Sequence, residues 1–341
     1  MKKRIDYIDF LKFFAISAML LGHSVEQTSA DLFWDHPVWE AIYTCHMPLF
    51  IFLSGFFFRS SLKKNYGKLL IDKLCRLGVP SLTTFAVQAA IMLVAGVTAV
   101  ADIAALSFSG FVNSVWFLKC LLLCILIMYP VCKLVKNDFA AAAVATVAVL
   151  LIPGAQIVNL NFMLPLFCMG MLCGNHYDSI DSHRIPWLVI SAAIYITLCF
   201  FWSGRLTVYM VPTRLFSDGA FDVRNFSITT YRLLLGASGT MVFFLLAKPV
   251  WNWLSRFKWS AVLSDIGRST LGIYVLQTIL LEMMVNSFHI YIPIPRSYFI
   301  TPFIAAAELA LCYGLTRLIC KSRLGAFLLM GEPMCNKVSD K

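Results

Sequence analysis

Ten runs of about 20 mostly apolar residues, joined by short polar connections, narrow more than any other feature what this chain can become. They lie near 8–25, 40–58, 78–98, 113–133, 138–153, 160–175, 185–203, 228–247, 269–287 and 298–319. About 20 residues of helix cross the roughly 30 Å of a bilayer's hydrocarbon, and a spanning segment must satisfy its own backbone. The chain is 60% hydrophobic and 13% charged, with a mean hydropathy of +0.78, outside the range of soluble domains. The expected fold is therefore all-α: a polytopic membrane protein built as a bundle of about ten transmembrane helices. Pro153 and Pro165 interrupt the fifth and sixth runs, which are expected to be tilted or partly re-entrant.

The loops orient the bundle. Segment 59–76 holds Arg59, Lys63, Lys64, Lys68, Lys73 and Arg76, whereas 26–39 and 98–112 hold no Lys or Arg. The alternation continues with Lys133 and Lys136, then none in 152–160, then Arg184, then Lys248, Arg256, Lys258 and Arg268, and finally Lys321 and Arg323. Under the positive-inside rule this places both termini in the cytoplasm and the protein in the cell inner membrane. The exception is 204–227, the longest outer loop, where Arg205, Arg214 and Arg224 are partly balanced by Asp218 and Asp222. The basic start resembles a signal peptide, but Asp6, Asp9 and Lys12 interrupt its apolar region, and it reads as a retained first helix. No repeat or low-complexity tract divides the chain, so 1–330 reads as a single transmembrane domain and 331–341 as a short cytoplasmic tail.

The net charge of +10 is spread between apolar runs rather than gathered on a polar face, which argues against nucleic acid as a partner. Eleven cysteines sit mostly within apolar stretches without CxxC spacing, and the six histidines form no HExxH. The cysteines read as small packing residues, and no metal is expected.

A charged group within a span costs about 2.5–3.5 kcal/mol on insertion scales, so those in the first run need a reason. Eleven positions separate Lys12 from His23, and at about 100° per residue they fall within about 20° of one another, some 16 Å apart along the axis. Asp9 lies within about 40° of that face, and Glu26 follows one turn beyond the histidine. The bland alternative is an Asp9–Lys12 pair at the interface and a histidine that merely satisfies a hydrogen bond. In the second run His46 precedes Ser54-Gly55 by a little over two turns, and Ser54 is read equally well as packing or as function. Lys73 and Arg76, one turn apart before Pro80, form either a phosphate site or a plain positive-inside cluster. Trp116 lies where interfacial tryptophans are common, and Lys119 is unusual within its span. A late run carries Arg268, Ser269, Tyr274 and Gln277, the last two one turn apart.

Taken in order, K-x10-H, HMPLFIFLSGFFF, KxxR, VWFL and S-x-x-x-x-Y-x-x-Q resemble the membrane acyltransferase type 3 family over nearly the whole chain. The opening IDYIDFLKFFAI…GHS is similar to the branch related to fucose 4-O-acetylases and other sugar O-acetyltransferases. The sequence departs from the family pattern in having Lys12 where Arg is usual, Lys73 as the first basic residue of RxxR, and Cys45 in place of Phe. Lys12 lacks the bidentate fork of arginine. The resemblance implies transfer of an acetyl group from cytoplasmic acetyl-CoA, as acyl donor, to a hydroxyl of a surface or lipid-linked carbohydrate. It implies His23 as general base or acyl carrier, Asp9, Glu26 and His46 in supporting catalytic roles, and Lys12, Lys73, Arg76, Ser54 and Trp116 around the donor. Tyr274 and Gln277 would meet the acceptor. The bilayer and a carbohydrate are the implied partners, and association into a homo-oligomer is left open. A transporter or flippase for a glycan or small anionic solute is the alternative from another class, but it predicts two related halves that are not visible here.

Overall fold

Each of the ten apolar runs is mainly helical over its described residues in the computed structural model, which describes residues 5–94, 110–152, 158–203, 208, 213, 215–217, 220–288 and 291–332. Helix α1 spans Asp6–Thr28, with Asp6 and Asp9 in its first turn, where carboxylates complement the positive end of the helix dipole. The second run is split into α2 (Pro37–Tyr43) and α3 (His46–Phe56), with the break at Thr44–Cys45. This corrects the single helix expected over 40–58. A 3-10 stretch over Phe58–Lys63 leads to α4 (Tyr66–Lys73), whose first turn is capped by the Asn65 side chain accepting from the Gly67 N–H. A π-helical turn, Leu74–Gly78, passes directly into α5 (Val79–Val94).

The chain continues through α6 (Trp116–Leu134), α7 (Asp138–Leu151), α8 (Leu160–Asn175), the short α9 (Tyr177–Ser182) and α10 (Arg184–Cys199). Within the long loop, β1 (Phe216–Ser217) pairs antiparallel with β2 (Ala220–Phe221). The final helices are α11 (Val223–Leu254), α12 (Ser260–Arg268), α13 (Thr270–Phe288), α14 (Ile294–Ile319) and α15 (Arg323–Met330). Pro165 does not break the sixth run, because α8 continues through it. Residues 95–109, Pro153, Arg205, Arg214, Asp218 and 333–341 lie outside the described residues.

Six stretches are long and apolar enough to cross a bilayer: Asp6–Thr28, Pro37–Lys63, Tyr66–Ile91, Trp116–Leu134, Val223–Leu254 and Ile294–Ile319. Four more, Asp138–Leu151, Leu160–Asn175, Arg184–Cys199 and Thr270–Leu280, are apolar but only 10–17 residues long. The outward sides of the bundle are apolar too, as at Ile185, Val189 and Ile196 on α10 and Phe299 and Phe303 on α14, all exposed. Such a surface is stable only against lipid or another apolar partner.

Helix α1 stands in the middle, packed against α2, α3, α11, α12, α13 and α14. Two close backbone approaches set this geometry. Helices α3 and α8 lie so near that a Cβ on Gly170 would strike the carbonyl of Phe52, and one on Gly55 the carbonyl of Phe167. Lipid supplies no hydrophobic drive between helices, so small residues that let backbones touch become the means of association. Gly267 lies in the same way on the backbone of Asp9, seating α12 on the first half of α1.

A side chain at Gly170 has nowhere to go. Gly170→Ala is expected to destabilise the protein by about 1–3 kcal/mol, the usual penalty of overpacking, read as a lower Tm of the detergent-solubilised protein. An unchanged Tm would show that α3 and α8 do not depend on this contact.

Candidate active site

A cavity of about 400 Å³ opens between α1, α3, the Lys73–Leu77 turn, α6 and the α12–α13 junction. Its walls are mostly apolar, with Met47, Phe50, Leu53, Phe117, Leu121 and Leu271 among them. Four cationic side chains, Lys12, Lys73, Arg76 and Arg268, also line it. Lys73 ends α4 and Arg76 lies in the π-helical turn that follows. Single π turns inside helices re-aim side chains and recur at functional sites. The cavity wall on α1 is Lys12, Ile16 and Met19, steps of four and three residues along one face. His23 lies one turn beyond Met19 and is not part of the lining.

Asp9 is buried behind Lys12 and serves two cations. Its Oδ1 accepts from Lys12 Nζ at 3.4 Å, and its Oδ2 lies 3.8 Å from Arg268 Nε. The plain ion pair read from the sequence therefore exists, and it sits at the wall of a cavity rather than at a featureless interface.

At the other end of α1, His23 Nδ1 is 2.8 Å from Glu26 Oε2, one turn on. The second oxygen of Glu26 accepts from Tyr43 Oη at 2.7 Å and from Trp39 Nε1 at 3.1 Å. Trp39 and Tyr43 are four residues apart on α2, which places both donors on one face of that short helix. Their rings stack 4.1 Å apart. His46, first residue of α3, is buried with its ring 4.7 Å from Tyr43 and its Nδ1 2.8 Å from the Ile42 carbonyl oxygen. The break between α2 and α3 thus lets one segment present Trp39 and Tyr43 to Glu26 while His46 backs Tyr43. With a carboxylate at Glu26 the Nδ1 carries the proton, which leaves the lone pair on Nε2 as the basic site.

The remaining expected residues divide. Ser54 and Tyr274 line the cavity, with the Ser54 hydroxyl donating to the Phe50 carbonyl at 3.0 Å. Trp116 does not line it, but packs 6.0 Å from the Phe117 ring, which does. Gln277 is buried one turn after Tyr274, and its Oε1 has no hydrogen-bond partner among the described residues. Ahead of Trp116, Val115 adopts φ 41°, a conformation that β-branched residues rarely accept. There Lys119 Nζ donates to the Ser114 carbonyl, whose side chain donates to Gln88 Oε1 at 2.7 Å.

Four side chains were absent from the sequence-derived site. Arg268 was noticed but given no role, although it is the fourth cation of the cavity. Glu308 on α14 accepts from Ser24 Oγ at 3.1 Å, bringing another carboxylate to the residue beside His23. Its signal was an acidic residue alone inside the apolar stretch IAAAELALC. Trp39 and Tyr43 carried only the faint signal of two hydrogen-bond donors at helical spacing. Among the described residues no group of three or more His, Cys, Asp or Glu is placed to hold a metal ion.

A family model for an acyltransferase domain matches residues 5–317. The nodulation protein NolL of Sinorhizobium fredii is 26% identical over 285 residues, covering 79% of this chain and 76% of its own. NolL of Mesorhizobium japonicum is 21% identical over 290 residues, covering 81% and 76%. No solved structure matches the chain. The family match runs from the start of α1 almost to the end of α14, taking in every element of the cavity but α15, and the chain belongs to the membrane acyltransferase type 3 family and is an O-acyltransferase.

Proposed function

We propose that this protein moves an acetyl group from cytoplasmic acetyl-CoA to a hydroxyl of a surface or lipid-linked carbohydrate. It would do so as one domain, 1–330, of ten membrane-crossing helices, with both termini and the tail 331–341 on the cytoplasmic side of the inner membrane. The observation that carries this reading is the α1 wall. Four cations line a cavity whose walls are mostly apolar, and the stripe Lys12–Ile16–Met19 leads along α1 toward the His23–Glu26 pair.

The residues present suit such a donor. Lys12, Lys73 and Arg76 would hold its phosphates, with Asp9 orienting Lys12. The apolar walls, with Ser54 and Tyr274 among them and Trp116 behind Phe117, would take the uncharged arm. The donor supplies an activated acetyl thioester. His23 Nε2 would take the proton of the acceptor hydroxyl as that oxygen bonds to the carbonyl carbon, and then return it to the sulfur that leaves. Glu26, fixed by Trp39 and Tyr43, would hold the tautomer and stabilise the imidazolium, much as the acid of a hydrolase triad does. His46 would set Tyr43, and Gln277 with Tyr274 would meet the acceptor. Acyl transfer through His23 itself is the variant in which the imidazole is the nucleophile. Carbohydrate as the acceptor class is supported by the likeness of the opening segment to sugar O-acetyltransferases.

His23→Ala is expected to lower incorporation of labelled acetate from acetyl-CoA into membrane glycans by about 10²–10⁴-fold, at normal expression and membrane insertion. Activity retained by that variant would overturn the assignment. A transporter or flippase would form no ester in this assay. Glu26→Gln keeps the shape and loses the charge; kcat is expected to fall by about 10–100-fold with little change in the donor's KM. A selective rise in KM would place Glu26 in donor binding instead.

A further inference from the structure

We propose that Arg268 is a phosphate-binding residue of the donor site, closing on the CoA phosphates from the α12 wall while Lys73 holds them from the end of α4 and Arg76 from the π-helical turn; this rests on the donor reading above. The placement begins with Gly267. Its missing side chain lets α12 settle on the backbone of Asp9, so the next residue must emerge beside α1, and Arg268 does so as part of the cavity lining. The C-terminal helix α15 adds Met330 to the same lining, and Gly331 rests against Cys75 and Arg76. The cavity is thus framed by two separate basic walls.

Arg268 is positioned but not consumed by its protein partners. Its Nε donates to the Ser264 carbonyl at 3.2 Å and its Nη2 reaches Ser264 Oγ at 3.4 Å. The carboxylates near it are distant for an arginine, at 3.8 Å for Asp9 and 4.0 Å for Asp265, where close charge-assisted pairs lie at about 2.7–2.9 Å. Both acids also serve other groups: Asp9 accepts from Lys12, while Asp265 pairs with Arg317 at 3.3 Å and accepts from Tyr313. The Arg268 side chain as a whole remains 39% exposed. Four cations line the cavity, while Asp9 is shared by Lys12 and Arg268 and Asp265 by Arg268 and Arg317, so positive charge remains in surplus there. A diphosphate together with a phosphate monoester, at about three to four negative charges, is a ligand of the opposite sign. Arginine rather than lysine suits this wall, since its planar fork grips two phosphate oxygens at once.

The test uses the purified full-length protein and CoA itself. Arg268→Ala is expected to raise the Kd for CoA by about 10–100-fold, and Arg268→Lys by less. Repeating the titration with 3′-dephospho-CoA identifies the phosphate. Equal affinities of wild type and Arg268→Ala for this probe assign the 3′-phosphate, and an undiminished gap assigns the diphosphate; either supports the proposal. Labelling of wild-type protein with phenylglyoxal gives a second reading that needs no variant to fold: CoA is expected to protect Arg268, while pantetheine is not. Unchanged CoA affinity in folded Arg268→Ala, or labelling of Arg268 indifferent to CoA, would overturn the proposal and leave Arg268 as a brace between α12 and α1. Wild-type protein that binds no CoA at all would instead remove the donor reading on which it rests.

Discussion

A bilayer offers no water to a charged group, and α1 carries Asp9, Lys12 and Glu26 along the length that must cross one. A carboxylate in hydrocarbon is tolerated only when protein donors replace the solvent it has lost. That requirement accounts for much of the architecture. Helix α1 lies at the centre with six other helices around it, and Asp9 and Glu26 on it are each met from a neighbouring element. Asp9 is met by Arg268 from α12, and Glu26 by Trp39 and Tyr43 from α2. The helix that is hardest to place in lipid thus becomes the one around which the rest assembles.

The same satisfaction of charge organises the chemistry. Glu26 has one oxygen toward His23 and one toward two donors, so its position along α1 is fixed from outside the helix. The donors can reach it because the second run breaks at Thr44–Cys45, turning α2 independently of α3. Farther along the chain the π-helical turn after Lys73 brings Arg76 into the cavity with it. Irregular backbone therefore occurs where side chains must be aimed, and regular helix elsewhere supplies the walls.

Much of this was legible in the chain alone. The apolar runs marked helical segments because backbone in an apolar solvent must bond to itself, a local rule that needs no knowledge of neighbours. The helical period placed Asp9, Lys12 and His23 on one stripe; of the three, Lys12 lines the cavity, together with Ile16 and Met19, and Asp9 and His23 do not. The break inside 40–58 was not plain from hydropathy, although Pro48, in the first turn of α3, lacks the N–H that would bond the Thr44 carbonyl. Nor was the continuity of α8 through Pro165, where packing on α3 holds a helix that proline alone would weaken. Arg268 and Glu308 escaped because their meaning depends on α12 and α14 lying against α1, more than 240 residues away in sequence.

By itself the sequence determined the class of fold, the helical segments, the polar stripe on the first helix and the family, because hydropathy and helical periodicity are set within a single segment. Only the tertiary structure decided which groups share a cavity, which donors hold Glu26, and that Asp9 serves two cations at once. Those outcomes depend on side chains from distant segments meeting within a few ångströms, and backbone contacts such as Gly170 on Phe52 and Gly267 on Asp9 set that distance.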